Sequence, residues 1–229
     1  MEAIILAGGL GTRLAHVVKD VPKPMASVAG KPFLQYVVDN LIKQGIDRII
    51  LAVCHKKEVI VDYFGTEYSN SEILYSIETE PLLTGGAIKQ ALKFCKEKRV
   101  FIINGDTFFA VDLLALRKTA ENMSKQVAIA VKELHNFSRY GQIEVDSDMS
   151  ITAFNEKQLC KKGYINGGIY DFDRNALDSY PSRFSIENEC FPSLLKTRQL
   201  IAFPSDGMFI DIGIPEDYER AQTIFGELK

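Results

Sequence analysis

The 229-residue sequence has no uninterrupted apolar stretch near the ~18 residues that a membrane helix requires. Its first apolar run, residues 3–7, is too short for the core of a secretion signal. No Lys/Arg run interrupts the mild net charge of −3, so the broad positive field that nucleic acids need is missing. The four cysteines, at 54, 95, 160 and 190, form no C-x-x-C pair, which argues against a zinc site or disulfide framework and fits the reducing cytoplasm. The three histidines, at 16, 55 and 135, form no H-x-x-x-H, and the adjacent Cys54 and His55 would point to opposite faces of a strand. Linkers, low-complexity tracts and internal repeats are absent as well. Without a hexapeptide repeat there is no appended left-handed β-helix. One domain over residues 1–229 is expected, with a substrate lobe inserted in it.

What is present is ordinary globular chemistry, 46% apolar and 25% charged. Continuous apolar runs at 3–7, 48–54, 73–77 and 100–104 suit strands covered on both faces. Between them, residues 33–45, 58–65 and 86–97 carry helical periodicity. Such alternation predicts a mainly parallel sheet with right-handed crossovers, a Rossmann-like three-layer α/β/α fold. After residue 112 the stretches "QVAIAVKEL", "GQIEVD", "ITAFNEK" and "YINGGIYDFD" read as strands with short connections, so part of the sheet is mixed. Helical signal returns at 186–197, interrupted by Pro192, and at 215–226.

Chemistry concentrates in "LAGGLGTRL", where Gly8, Gly9 and Gly11 follow the first strand. Glycine there lets a ligand approach the main chain. At the carboxyl end of a strand in a doubly wound sheet, this is where ligands bind. The dinucleotide fingerprint fails because Leu14 stands where its third glycine belongs, and no Lys-Ser/Thr follows to make a P-loop. Arg13 shares the connection with Lys23, which is braced by Pro22 and Pro24 and reads as a phosphate clamp. Asp106 and Asp211 each follow an apolar strand beside a glycine. An acid so placed can meet a cation at the sheet's edge, or cap a helix, which for Asp106 would start near Val111. "DSD" (146–148) has the letters of a D-x-D metal motif, but its position between two strands fits a hairpin turn.

"LAGGLGTRL…PKPM" resembles the signature of the sugar-1-phosphate nucleotidyltransferases, the nucleotide-sugar pyrophosphorylases. "EPLLTGGA", "NGD", "YG", "FNEK", "NGGIY" and "FIDIGIPEDY" follow in that family's order across essentially the whole chain. The resemblance implies transfer of a nucleoside monophosphate to a sugar 1-phosphate with release of pyrophosphate, assisted by Mg²⁺ on Asp106 and Asp211. It makes Arg13 and Lys23 the catalytic cations. Nucleotide binding falls to Leu6, Ala7, Gly8, Gly9, Gly11, Thr12, Arg13, Lys23, Glu80, Thr84, Gly85, Asn104, Gly105 and Asp106, mainly within residues 1–112. The sugar phosphate falls to Gly141, Glu156, Lys157, Asn166 and Gly167, within residues 113–229. Relatives often dimerise, so a homodimer is compatible with the resemblance.

Glu80, expected opposite the base, only accepts hydrogen bonds when ionised. Guanine offers two adjacent donors and suits it, adenine does not, and uracil or thymine offer one; GTP is favoured over UTP and dTTP. Where relatives often read E-P-L-G-T-G-G, Leu83 replaces a glycine. Within the family the chain is most similar to the D-glycero-α-D-manno-heptose 1-phosphate guanylyltransferases. Mannose 1-phosphate guanylyltransferases and N-acetylmuramate 1-phosphate uridylyltransferases are the near alternatives, and a regulatory subunit without catalysis is the remaining one.

Overall fold

The computed structural model describes residues 1–9 and 20–227. Strand β1 (Glu2–Leu6) is followed by a small ribbon, β2 (Ser27–Val28) and β3 (Lys31–Pro32), which leads into helix α1 (Phe33–Lys43). Then come β4 (Arg48–Val53), α2 (Lys57–Phe64), β5 (Glu67–Tyr68), β6 (Ser71–Ile77), α3 (Leu83–Ala91) and β7 (Arg99–Asn104). The second half runs β8 (Thr107–Phe109), α4 (Leu113–Asn122), β9 (Val127–Phe137), β10 (Gly141–Val145), β11 (Ile151–Lys157) and β12 (Cys160–Asp173). It closes with α5 (Phe191–Lys196), β13 (Leu200–Pro204), β14 (Phe209–Asp211) and α6 (Pro215–Glu227).

Among the described residues the main sheet is ordered β11-β10-β12-β7-β1-β4-β6-β5, with β9 also on β12 and β13 on β9. The inner strands β7, β1, β4 and β6 are mutually parallel. β12 runs antiparallel to β7 and joins the later strands to them. The apolar runs are continuous because alternate residues feed two cores. Ala3, Ile5, Ile49, Leu51, Phe101 and Ile103 pack with Phe33, Leu34 and Val37 of α1, Leu116 of α4 and Phe225 of α6. Ile4, Ile50, Ala52, Val100 and Ile102 pack with Ile88 of α3, Phe184, and Phe191 of α5. Each large side chain so buried contributes about 1.5–3 kcal/mol, which locks strand register on both faces. This is the three-layer α/β/α arrangement expected from the sequence.

Some features escape the sequence reading. The cap near residue 111 is Asp112, whose Oδ1 accepts from the Ala115 N–H at 2.9 Å and starts α4, leaving Asp106 with no capping role. β13 is a five-residue apolar run paired in parallel with β9, too short for periodicity to identify. The helix expected over 86–97 begins earlier, at Leu83, and its α-helical part ends at Ala91. Pro192 falls in the first turn of α5, directly after a π-helical turn, Ile186–Cys190.

From β1 the chain winds one way through β4 to β6, then crosses by α3 to β7 on the other side of β1. The carboxyl ends of β1 and β7 therefore form the switch point where α/β sheets open a crevice.

Candidate active site

A cleft of about 510 Å³ opens at this point. The first half of the chain lines it with Leu6, Gly9, Lys23, Thr84, Asn104 and Asp106; the second half adds Tyr140, Asn166, Gly168, Tyr170, Glu187, Phe209 and Asp211. The two aspartates meet through local pairing. Gly105 N–H bonds the Leu6 carbonyl at 3.0 Å, fixing the turn that carries Asp106 beside β1. β14 pairs antiparallel with β8, placing Asp211 opposite Thr107, and Ile212 N–H donates to the Asp106 carbonyl at 3.1 Å.

Lys23 opens a short 3-10 turn after Pro22, whose φ of −65° sets the entry. Its ammonium lies 2.5 Å from Asp106 Oδ2, with only 13% of the side chain exposed. Asp211 accepts from Gly213 N–H at 2.7 Å and from the Tyr140 hydroxyl at 3.3 Å, and Arg139 stands 3.7 Å away. Arg139 also bonds Asp217. Burial, and then the nearby Asp106 charge, hold the Asp211 carboxyl above the usual range, against the opposing pull of Lys23, Gly213 N–H and Arg139. Burial likewise pushes the Tyr140 phenol up.

This floor suits a divalent cation. Among the described residues no cluster of three or more His, Cys, Asp or Glu side chains could hold a metal. Two carboxylates whose charges oppose one another are nonetheless the donor set that Mg²⁺ uses when phosphates and waters complete its shell.

Opposite lies the "INGGIY" segment of β12. Its pairing with β9 shifts register between Asn166 and Tyr170, and Gly168 adopts φ +73°. Such an irregularity re-aims side chains, and a left-handed residue here calls for glycine. Asn166 Nδ2 donates to the Tyr170 hydroxyl at 3.0 Å, and its Oδ1 accepts from Gly168 N–H at 2.9 Å.

The two acids of the nucleotide-side loop are placed differently. Glu80 is exposed, and neither it nor Glu78 is among the residues lining the cleft. Glu78 faces the glycine loop: a β-carbon on Gly8 would lie 2.9 Å from its Oε1. Its Oε2 accepts from Leu82 N–H at 3.0 Å, and burial raises its pKa despite that bond. Sequence spacing could have found Glu78 as the first acid after β6, at the carboxyl edge where ligands collect. Leu83 sits at φ +62° and is exposed, a conformation that costs a side-chain-bearing residue about 1–2 kcal/mol. Leu83→Gly is expected to raise stability by roughly 0.5–1 kcal/mol after the greater freedom of glycine in the unfolded chain is offset. Urea unfolding would show this as a higher midpoint at unchanged slope.

A scan against protein-family models matches the nucleotidyl transferase family over residues 2–226. The chain belongs to the nucleotidyl transferase family. Among curated relatives, a D-glycero-α-D-manno-heptose 1-phosphate guanylyltransferase of Campylobacter jejuni is 47% identical, with 95% of this chain and 97% of the relative covered. Its counterpart in Aneurinibacillus thermoaerophilus is 45% identical, with 97% of each covered. Among solved structures, HddC from Yersinia pseudotuberculosis, complexed with GMP-PN, superposes with a TM-score of 0.87 at 37% identity, covering 98% and 99% of the two chains.

The expected site residues of this nucleotidyltransferase are distributed unevenly. The cleft gathers Leu6, Gly9, Lys23, Thr84, Asn104, Asp106, Asn166 and Asp211. Ala7, Gly8 and Gly105 lie beside it, at the ends of β1 and β7. Gly85 is buried in α3, where a β-carbon would stand 2.3 Å from the Phe184 ring, so packing explains this glycine. Gly167 packs similarly, on Phe109, leaving Gly168 to face the cleft. Glu156 and Lys157 are exposed at the end of β11, outside the cleft lining, with Gly141 opposite Lys157 across the β10 pairing. Gly11, Thr12 and Arg13 lie outside the described residues. "DSD" is a turn, in which Asp146 and Asp148 both accept from Ser150 N–H. The four cysteines are free thiols, and no described helix is long and apolar enough to cross a membrane.

Proposed function

We propose that this enzyme transfers GMP from GTP to D-glycero-α-D-manno-heptose 1-phosphate, giving GDP-heptose and pyrophosphate. One observation carries the reading: Lys23, Asp106 and Asp211 converge in a single cleft that both halves of the chain line. The identity of 45–47% to heptose 1-phosphate guanylyltransferases supports the substrate pair.

In the reaction a sugar-phosphate oxygen forms a bond to the α-phosphorus, and the bond to the bridging oxygen of the β-phosphate breaks, so pyrophosphate departs. The protein's task is to position the partners and neutralise charge. Residues 1–112 hold the nucleotide. The loop at Leu6–Gly9 receives the base, Glu78 takes the part expected of Glu80 and accepts from guanine N1–H and the 2-amino group, and Arg13 grips the outer phosphates. Lys23 moves from Asp106 to the α-phosphate as charge grows there. Residues 113–229 orient the sugar phosphate, through Asn166 and Gly168 in the cleft and through Glu156 and Lys157 on the β10–β11 hairpin. Asp106 and Asp211 would hold Mg²⁺. The ion, when bound, withdraws charge from the phosphate oxygens. A nucleoside triphosphate substrate and four unpaired cysteines suit the cytoplasm.

The test is pyrophosphate release with Mg²⁺, crossing GTP, UTP, dTTP, CTP and ATP with heptose, mannose, glucose and N-acetylmuramate 1-phosphates. Release confined to GTP with the heptose is the expected result. Equal or faster release with mannose 1-phosphate would overturn the sugar assignment, and preference for UTP or dTTP would overturn the base assignment.

A further inference from the structure

We propose that Glu187 is a specificity-determining acceptor for a hydroxyl group of the incoming sugar 1-phosphate, paired with the Tyr170 hydroxyl as its donor. Glu187 lines the cleft from the π-helical turn Ile186–Cys190, a distortion that often marks functional sites. Its carboxylate is anchored on one side only. Oε2 accepts from Thr84 Oγ1 at 2.6 Å and from Ser185 Oγ at 2.7 Å, while among the described residues Oε1 accepts nothing. Thr84 is fully engaged in this task, because its single proton goes to Glu187 and its oxygen takes the Ile186 N–H at 3.1 Å. That turns Thr84 from an expected nucleotide contact into a positioning residue.

A complementary donor lines the same cleft. Tyr170 is buried in the wall of the same cleft, and the Glu187 charge, after burial, raises the pKa of its phenol. The Tyr170 oxygen accepts from Asn166, and its proton is committed to no described residue. A fixed acceptor and an unspent donor in one cleft match a sugar hydroxyl, which both gives and takes a hydrogen bond. The sugar is favoured over the ribose of the nucleotide because Tyr170 and Asn166 belong to β12, in the half of the chain that orients the sugar phosphate.

This inference rests on the proposed function. Steady-state kinetics of Glu187→Gln test it, with both substrates varied in turn. Glutamine keeps an oxygen for Thr84 and Ser185 but presents an amide to the sugar. The KM for the sugar 1-phosphate should rise roughly tenfold, the KM for GTP should stay within about twofold, and the melting temperature should hold. Glu189→Gln is the control: Glu189 is bonded to Ser185 N–H on the same turn but does not line the cleft, so both KM values should match wild type. A rise in the GTP KM alone would assign Glu187 to the ribose and overturn the inference. So would unchanged kinetics in Glu187→Gln, or an equal sugar KM rise in Glu189→Gln. Wild-type protein that releases no pyrophosphate from any pair would overturn the proposed function, and this inference with it.

Discussion

Asp211→Asn is expected to lower kcat by about 10²–10³-fold while leaving the fold as stable as wild type or more so. The loss is of the size seen when one charge-stabilising group is removed from a polar active site. The asparagine side chain keeps an oxygen for Gly213 N–H but no longer supplies a formal charge beside Asp106. The stability side follows from the raised pKa of Asp211, caused by burial first and Asp106 second. An acid whose folded pKa lies above its unfolded value stabilises the fold below the unfolded pKa, and that contribution is lost as pH rises through the folded pKa. At neutral pH the ionised Asp211 is therefore a cost that asparagine removes. Arg139 keeps its bond to Asp217 in the variant, so the helix α6 contact survives. Pyrophosphate release and thermal melting at neutral pH check both halves. Near-wild-type activity would remove Asp211 from the site, and a lower melting temperature would make its role structural. Wild type should also gain thermal stability from Mg²⁺ added with GTP, and the variant should gain less.

The sequence exposed the fold's frame because each inner strand is buried twice. Ile4 and Ile5 serve opposite cores, so their run has to be apolar throughout, and such runs are visible without any partner strand. β13 carries the same kind of run but is held by β9, far away in sequence, and no local feature announces that pairing. The convergence of Lys23, Asp106 and Asp211 in one cleft was legible, because charges at the ends of apolar strands meet at the sheet's carboxyl edge. The approach of Glu78 to Gly8 was not legible, because periodicity cannot say which of the two acids, Glu78 or Glu80, turns toward that glycine. The packing role of Gly85 was hidden for a related reason. A glycine needed for a ring to pack and a glycine needed for a ligand to approach look alike until Phe184 is found on top of it. Glu187 was unreadable, since its π-helical turn arises only where the chain folds back onto α3 through Gly85 N–H and the Phe184 carbonyl, 2.9 Å apart.

Glu78→Gln should separate the two acids of "ETE" decisively. Guanine presents two donors to an acceptor, and replacing a carboxylate oxygen by an amide sets donor against donor. A hydrogen bond to a charged group is worth about 1.5–3 kcal/mol, so kcat/KM for GTP should fall roughly 10–100-fold. Discrimination against UTP should shrink, because an amide can serve uracil, which offers one donor flanked by acceptors. Stability should move the other way. Burial raises the Glu78 pKa, with the Leu82 N–H only partly opposing it, so the fold holds this group better protonated. Its contribution is present below the unfolded pKa and lost as pH rises through the folded one, and glutamine, which can still accept from Leu82, avoids that loss at neutral pH. Glu80→Gln, altering an exposed side chain, should change neither the base preference nor the melting temperature. If Glu80→Gln weakened GTP use and Glu78→Gln did not, the base would be read from the outer acid, and Glu78 would be left with the structural task of holding Leu82 at the start of α3.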